Sequence, residues 1–205
     1  MNFLAHAYLS FNATDILIGN MIGDFVKGKK KYDYPGDIPK GIALHRAIDS
    51  YTDSHTVTRA AKSYFRQPYG LYAGALVDIV FDHFLANDPG IFSREELASF
   101  AAGVYRNLDS YRGMLPDKFL RIRPYMQSQN WLYNYHSREA IFRSFAGLSS
   151  RAAYMPESGK ACELFETHYH ELEACYGGFF PELRAFAFTT LQELKMGPDG
   201  RKAED

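Results

Sequence analysis

A single all-α domain is what this sequence predicts, and three observations predict it. Apolar residues recur mostly at helical spacing. Alternating apolar-polar runs bounded by hairpin turns are few. The 205 residues match one domain at roughly 150 residues each, with no linker, internal repeat or low-complexity segment to divide them.

Taken in order, the first two helices are expected over 3–9 and 13–26. A turn-rich basic surface loop follows over 28–39, carrying Lys29, Lys30, Lys31, Pro35 and Gly36. Asp37 as N-cap and Pro39 in the first turn open a helix over 39–53. A helix over 56–65 ends near Pro68, and an apolar helix over 71–86 stops before Asp88-Pro89-Gly90. Ser93 and Glu96 have capping-box spacing and start a helix reaching 108. Pro116 and Pro124 bracket a short helix, and Ser137 starts one reaching 148. The C-terminal pair, 157–176 and 181–195, is expected to break at Gly177-Gly178, so the domain spans 1–196 and 197–205 form a frayed tail.

Composition narrows the function classes. Apolar residues are 46% and charged residues 23%, values of a soluble globular protein with material for a core. A formal charge of -1 lacks the positive excess of nucleic-acid binders, so no nucleic-acid partner is expected. Two cysteines, Cys162 and Cys175, do not make a disulfide scaffold. The first residues lack the features of a signal peptide, and the apolar stretch 69–77 is too short to span a bilayer. A cytoplasmic protein with no membrane partner is therefore expected. Aromatic residues are 16%, with 15 Tyr and 16 Phe, enough to raise an exposed aromatic groove or a self-association face as expectations.

Chemistry is expected where polar residues interrupt apolar helical context. In LYAGALVDIVFDHFL, Asp78 and Asp82 stand four apart on nearly one helix face, and His83 follows. Buried carboxylates are costly unless a cation, a shared proton or a metal ion offsets them. In GIALHRAID, His45 and Asp49 repeat the four-residue spacing, and the mixture of imidazole and carboxylate suits a harder divalent cation than structural zinc. Arg46 sits where a guanidinium reaches a phosphate oxygen. Asp24 interrupts a third apolar run, and His6 lies among Phe3, Leu4 and Leu9. Each has a structural alternative: a hydrogen-bonded core histidine, an Asp–Arg network, a solvated face. His55 reads as a cap or surface residue, His136, His168 and His170 as solvated or interhelical. No nucleophile elbow or P-loop is present.

The segments MNFLAHAYLS, GNMIGDFVKG, GIALHRAID, DIVFDHFL, QNWLYNY, GLSSR and HYHELE, in this order along most of the chain, resemble the acyl carrier protein phosphodiesterase family. The resemblance implies an all-α, divergent relative of HD-type metal phosphohydrolases that uses a divalent cation, Mn²⁺ first and Mg²⁺ second. The implied reaction releases 4'-phosphopantetheine from holo acyl carrier protein. The adjacent pair is reversed relative to ordinary HD enzymes, Asp82-His83, and His45 and Asp49 are a helical turn apart. Asp24, His45, Asp49, Asp78, Asp82 and His83 therefore carry over as a group.

Chemistry alone divides the roles. Asp24, His45, Asp78 and Asp82 are expected to bind one or two ions, with Asp49 completing that shell or orienting His45. His83 or His6 would serve as general acid or base. Arg46 and Asn20 would hold phosphate oxygens. Because such carriers are small and acidic, Lys27, Lys29, Lys30 and Lys31 form one candidate docking patch and Arg121 with Arg123 another. The alternatives are a metal phosphohydrolase of a nucleotide or other small phosphodiester, and a non-catalytic helical module that binds the carrier.

Overall fold

Eleven α-helices joined by short turns and 3₁₀ segments make up residues 1–196, the part of the chain that the computed structural model describes, with no strand among the described residues. The tail expected at 197–205 lies outside them. The helices are α1 (Phe3–Tyr8), α2 (Thr14–Ile22), α3 (Ile38–Ser54), α4 (Thr56–Tyr69), α5 (Ala73–Asn87), α6 (Arg94–Ser110), α7 (Asp117–Ser128), α8 (Trp131–Asn134), α9 (Arg138–Arg151), α10 (Gly159–Thr167) and α11 (Tyr169–Met196).

Local signals set several ends. The Ser93–Glu96 capping box forms, with Ser93 Oγ accepting from the Glu96 N–H and the Glu96 carboxylate accepting from the Ser93 N–H. Ser137 caps α9 through the Ala140 N–H. Asp37 stands at the N-cap of α3 without a capping bond, its carboxylate being paired with Lys40.

Three ends differ from those read off the sequence. Helix α2 stops at Ile22, and a 3₁₀ turn over Gly23–Phe25 follows. Pro124 lies inside α7 rather than after it. Helix α11 runs unbroken through Gly177, Gly178 and Pro181, and the break falls before it, at His168. Those three residues face solvent, while Leu172, Tyr176, Phe179, Phe180, Leu183, Ala187 and Leu191 are buried on the other side. Each glycine costs about 1 kcal/mol and an interior proline about 3. Burying a Phe or Leu is worth about 1.5–3 kcal/mol per side chain, so the apolar stripe outweighs the breakers.

Helix α5 is the centre of the core. Leu76, Val77, Val80, Phe81 and Leu85 are fully buried on several of its faces, as in a helix surrounded by others. Against it pack α1, α4, α9 and α11. Seven phenylalanines, Phe65, Phe81, Phe119, Phe145, Phe165, Phe179 and Phe180, are fully buried, while Tyr32, Tyr125, Tyr154 and Phe188 are exposed. The stretch Thr56–Asn87, which is α4 and α5, has the length and hydropathy of a membrane span, but its apolar window is 67% buried inside the fold.

The crossing of α2 and α3 positions the site. A Cβ on Gly19 would lie 2.2 Å from the Ile38 carbonyl oxygen and 2.8 Å from Gly41 Cα, and one on Gly41 would lie 2.4 Å from the Ile16 oxygen. Two glycines thus let the backbones touch. One turn after Gly41, the side chain of His45 is pressed against the end of α2.

Candidate metal centre

His45 reaches the turn after α2 because Gly23 has no side chain. A Cβ there would lie 2.2 Å from His45 Cγ. The ring is held at both nitrogens. Its Nδ1 donates to the Asn20 carbonyl at 2.8 Å. Its Nε2 lies 3.1 Å from Asp24 Oδ1 and 3.1 Å from Asp49 Oδ2. His6, in the last turn of α1, stacks on it with ring centroids 4.0 Å apart.

The His6 tautomer is fixed by Asn20. The Asn20 amide nitrogen donates to the His6 carbonyl at 2.7 Å and to Ser10 Oγ at 3.2 Å. Its amide oxygen therefore faces His6 Nδ1, 2.8 Å away, and Nδ1 must be the donor. That leaves a lone pair on His6 Nε2. This buried atom has no hydrogen-bond partner, although Asp49 Oδ1 lies 3.1 Å away, because the approach is off the line of a hydrogen bond.

His6, His45 and Asp49 bring one ligand atom each within 4.8 Å of one another, and Asp24 joins from the exposed side. Electrostatics follow. Burial pushes His45 down, but hydrogen bonds to Asp24 and Asp49 outweigh it and raise the imidazole to about 9. Burial, reinforced by the neighbouring His45, holds His6 below its ordinary value. Burial pushes Asp49 up, yet the two histidines together hold it well below the carboxylate range. The hydrogen bond from His45 likewise lowers Asp24. Two imidazoles with their Nδ1–H groups tied back and their Nε2 atoms beside two ionised carboxylates could hold a divalent transition-metal ion once His45 gives up its second proton.

The other residues expected at this site stand elsewhere. Asp82 is fully buried, and its oxygens accept from the N–H groups of Leu4 (2.7 Å), Asn2 (3.2 Å) and Ala5 (3.3 Å). It caps α1 and so anchors the helix that carries His6. Burial raises its carboxyl to about 7 against the pull of the Met1 amino group and those donors. Asp78 pairs with the Met1 amino group at 2.8 Å. His83, next to Asp82 and about 100° further round α5, has other partners: Nδ1 donates to the Tyr135 carbonyl at 2.7 Å, and Nε2 accepts from the Tyr169 hydroxyl at 3.0 Å. Arg46 donates to the Val26 carbonyl at 2.7 Å, so its guanidinium braces the turn carrying Asp24. Lys27, Lys29 and Lys30 are exposed and Lys31 half-buried over the Tyr32 ring. Arg121 is exposed, whereas Arg123 is paired with Asp109.

A cavity of about 840 Å³ has Asp24 and Asp78 in its wall. The opposite wall comes from α8 and α9, with Asn130, Trp131, Arg143, Gly147 and Arg151. Asn130 has a left-handed backbone, φ 45°, which ends α7 and turns the chain into α8.

Comparison with known proteins bears on what this arrangement serves. A profile described as acyl carrier protein phosphodiesterase matches residues 1–183. The chain belongs to the acyl carrier protein phosphodiesterase family. A protein of that name from Klebsiella pneumoniae is 32% identical over 188 residues, 91% of this chain and 97% of its own. One from Enterobacter sp. strain 638 is 32% identical over 184 residues, 89% and 95% of the two chains. Another from Photorhabdus laumondii is 30% identical over 182 residues, 88% and 92%. No solved structure matches the chain.

The family match ends at 183, so it takes in every residue of the centre and both walls of the cavity. Two of the segments that carried the resemblance, QNWLYNY and GLSSR, turn out to be cavity wall. Arg143 lies between them and was not singled out in the sequence. Its signal was its place, one helical turn before Gly147 in an otherwise uninterrupted helix.

Proposed function

We propose that this phosphoric diester hydrolase releases 4'-phosphopantetheine from the serine of holo acyl carrier protein with the help of one divalent cation, Mn²⁺ first, held by His6, His45, Asp49 and Asp24. The observation that carries the metal is the unpartnered Nε2 of buried His6, close to Asp49 and His45 Nε2 but hydrogen-bonded to neither. A structural histidine pair would have that atom bonded. The relation to HD-type phosphohydrolases belongs to the same proposal, with His45 and Asp49 one turn apart in place of a consecutive pair.

When bound, the ion would supply Lewis-acid activation of the phosphodiester and of the attacking water. The chain's own residues do the rest. Asn20 keeps a proton on Nδ1 of both histidines, so loss of the second proton from His45 leaves both Nε2 lone pairs for the ion. Asp49 and Asp24 bring two negative charges that offset the ion. The Met1 amino group offsets Asp78, so that wall does not repel an incoming phosphodiester. The cavity beyond takes the released arm, a flexible chain with amide groups, between Trp131 and the polar side chains of Asn130 and Asn134.

The carrier protein, being acidic, would dock on Lys27, Lys29 and Lys30, which follow Asp24 directly in the chain. Turnover is tested by incubating the enzyme with holo carrier protein and Mn²⁺ and weighing the intact carrier. Loss of the mass of phosphopantetheine is the expected result, and an unchanged mass refutes the reading. Replacing Lys27, Lys29 and Lys30 by Glu should lower kcat/KM and flatten its decline with salt. Equal salt dependence in the two proteins would remove the patch.

A further inference from the structure

Helix α9 carries three arginines, and they are not equivalent. Arg138 is committed, paired with Glu166 and lying over the Tyr169 ring 4.0 Å from its centroid. Arg143 and Arg151 line the cavity together with Asp24 and Asp78, and neither forms an ion pair among the described residues. They are spaced 143, 147, 151, one stripe of a helix with Gly147 between them. A Cβ on Gly147 would lie 3.3 Å from an Arg151 guanidinium nitrogen, so Arg151 folds back over the bare glycine toward Arg143. Both side chains are exposed to solvent, and the charge of Arg143 also acts on Glu139 one turn away, so neither is locked in a bonded pair and both can turn to an anion in the cavity.

We infer that Arg143 and Arg151 form the phosphate clamp of the cavity, holding the non-bridging oxygens of the phosphodiester and then the released phosphomonoester. This rests on the phosphodiesterase reading above and adds the residues that bear the phosphate's charge. Arg46, the guanidinium that the sequence offered for this role, is spent on the Val26 carbonyl. The planar fork of Arg matches phosphate oxygens pairwise, which a lysine does not. Asp24, which would help hold the cation, lines the same cavity as the two arginines, so a phosphate there could meet the cation and the clamp together.

Inorganic phosphate is the probe, used on the protein as purified, with chloride at equal ionic strength as the control. Phosphate should raise the melting temperature of the wild type and leave that of R143Q/R151Q unmoved. On holo carrier protein each single Gln variant should lose roughly tenfold to a hundredfold in kcat/KM, the range expected for a charge-assisted hydrogen bond. R143K and R151K should recover part of the loss, since charge returns without the fork. G147A should weaken phosphate protection with both arginines intact. Equal phosphate protection of the wild type and the double variant overturns the clamp, as does full kcat/KM in that variant. If the wild type itself leaves holo carrier intact, the phosphodiesterase reading fails, while the melting shifts still decide whether the clamp binds phosphate.

Discussion

The side-chain oxygen of Asn20 accepts a hydrogen bond from His6 Nδ1 at 2.8 Å, and the backbone oxygen of the same residue accepts one from His45 Nδ1 at 2.8 Å. One residue in the last turns of α2 thus sets the tautomers of two histidines from two other helices. The Asn20 side chain cannot be reversed, because its amide nitrogen is held by the His6 carbonyl.

Asn20→Ala should therefore weaken Mn²⁺ binding without removing a ligand. Loss of such an outer partner costs about 10- to 100-fold in metal affinity. Titration calorimetry with Mn²⁺, at matched far-ultraviolet circular dichroism, reads it. Unchanged affinity would show that the two histidines do not act as a pair.

Metal binding should also release protons. In the metal-free protein His45 titrates at about 9, so near neutral pH it carries a proton that must leave before Nε2 coordinates. His6 is held low and contributes none. Mn²⁺ affinity should then rise by up to tenfold per pH unit up to about 9. The sign reverses for the metal-free fold: the His45 contribution to stability is fully present below its unfolded value of about 6.5 and is lost as pH rises through about 9. Titrations in two buffers of different ionisation enthalpy should report close to one proton, and His45→Gln should report none.

The fold and half of the centre were legible in the sequence for one reason. Helical spacing and caps are local, and so is the i, i+4 relation between His45 and Asp49. What stayed hidden depends on which helix faces which. Asp82 was expected as a ligand and His83 as a general acid or base because both interrupt an apolar run. In a helix buried all round, however, every polar residue must find a private partner, and these two found the end of α1 and the Tyr135 carbonyl. His6 was expected as a general acid or base, with a core histidine as the alternative, and only the position of Asn20 shows which of its nitrogens carries the proton. Gly177, Gly178 and Pro181 looked like a helix end because propensity can be read locally, whereas the burial of Phe179, Phe180 and Leu183 that overrides it cannot.

Asp82 should behave as a structural cap. Asp82→Ala strips the N–H groups of Leu4 and Ala5 of their partner inside the protein, at a cost of about 1–3 kcal/mol for each group left unsatisfied. Denaturant unfolding should show that loss. Mn²⁺ should still bind one-to-one in the folded fraction, more weakly because α1 carries His6. Loss of the metal with full stability would make Asp82 a ligand after all.

His83 should give the acid limb of stability. Burial holds its imidazole at about 4, well below the ordinary 6.5, so the folded state stays neutral where the unfolded chain takes up a proton. Its contribution is therefore complete above pH 6.5 and declines as pH falls toward 4, by up to about 1.4 kcal/mol per pH unit. His83→Asn will be less stable at neutral pH but should lose less on acidification. Parallel stability curves for the two proteins between pH 7 and pH 4 would assign the acid limb to other groups.

The α2–α3 crossing offers the sharpest contrast between two glycines. At Gly41 a methyl group would lie 2.4 Å from the Ile16 carbonyl oxygen and 2.9 Å from Gly19 Cα, all backbone atoms that no rotamer change can move. Gly41→Ala must push the helices apart, at a cost of about 1–3 kcal/mol or more for overpacking. The damage should reach the centre, because His45 is one turn beyond Gly41 and its Nδ1 bonds to the residue after Gly19. Gly177 is also helical, but it is exposed and has nothing within 4 Å of an added Cβ. Gly177→Ala should therefore stabilise the protein by about 0.5–1 kcal/mol through helix propensity, leaving Mn²⁺ binding alone. Thermal melts and Mn²⁺ titrations of the two variants side by side settle the matter. A Gly41→Ala protein with wild-type melting temperature and metal affinity would mean that the helices do not touch where His45 depends on their touching.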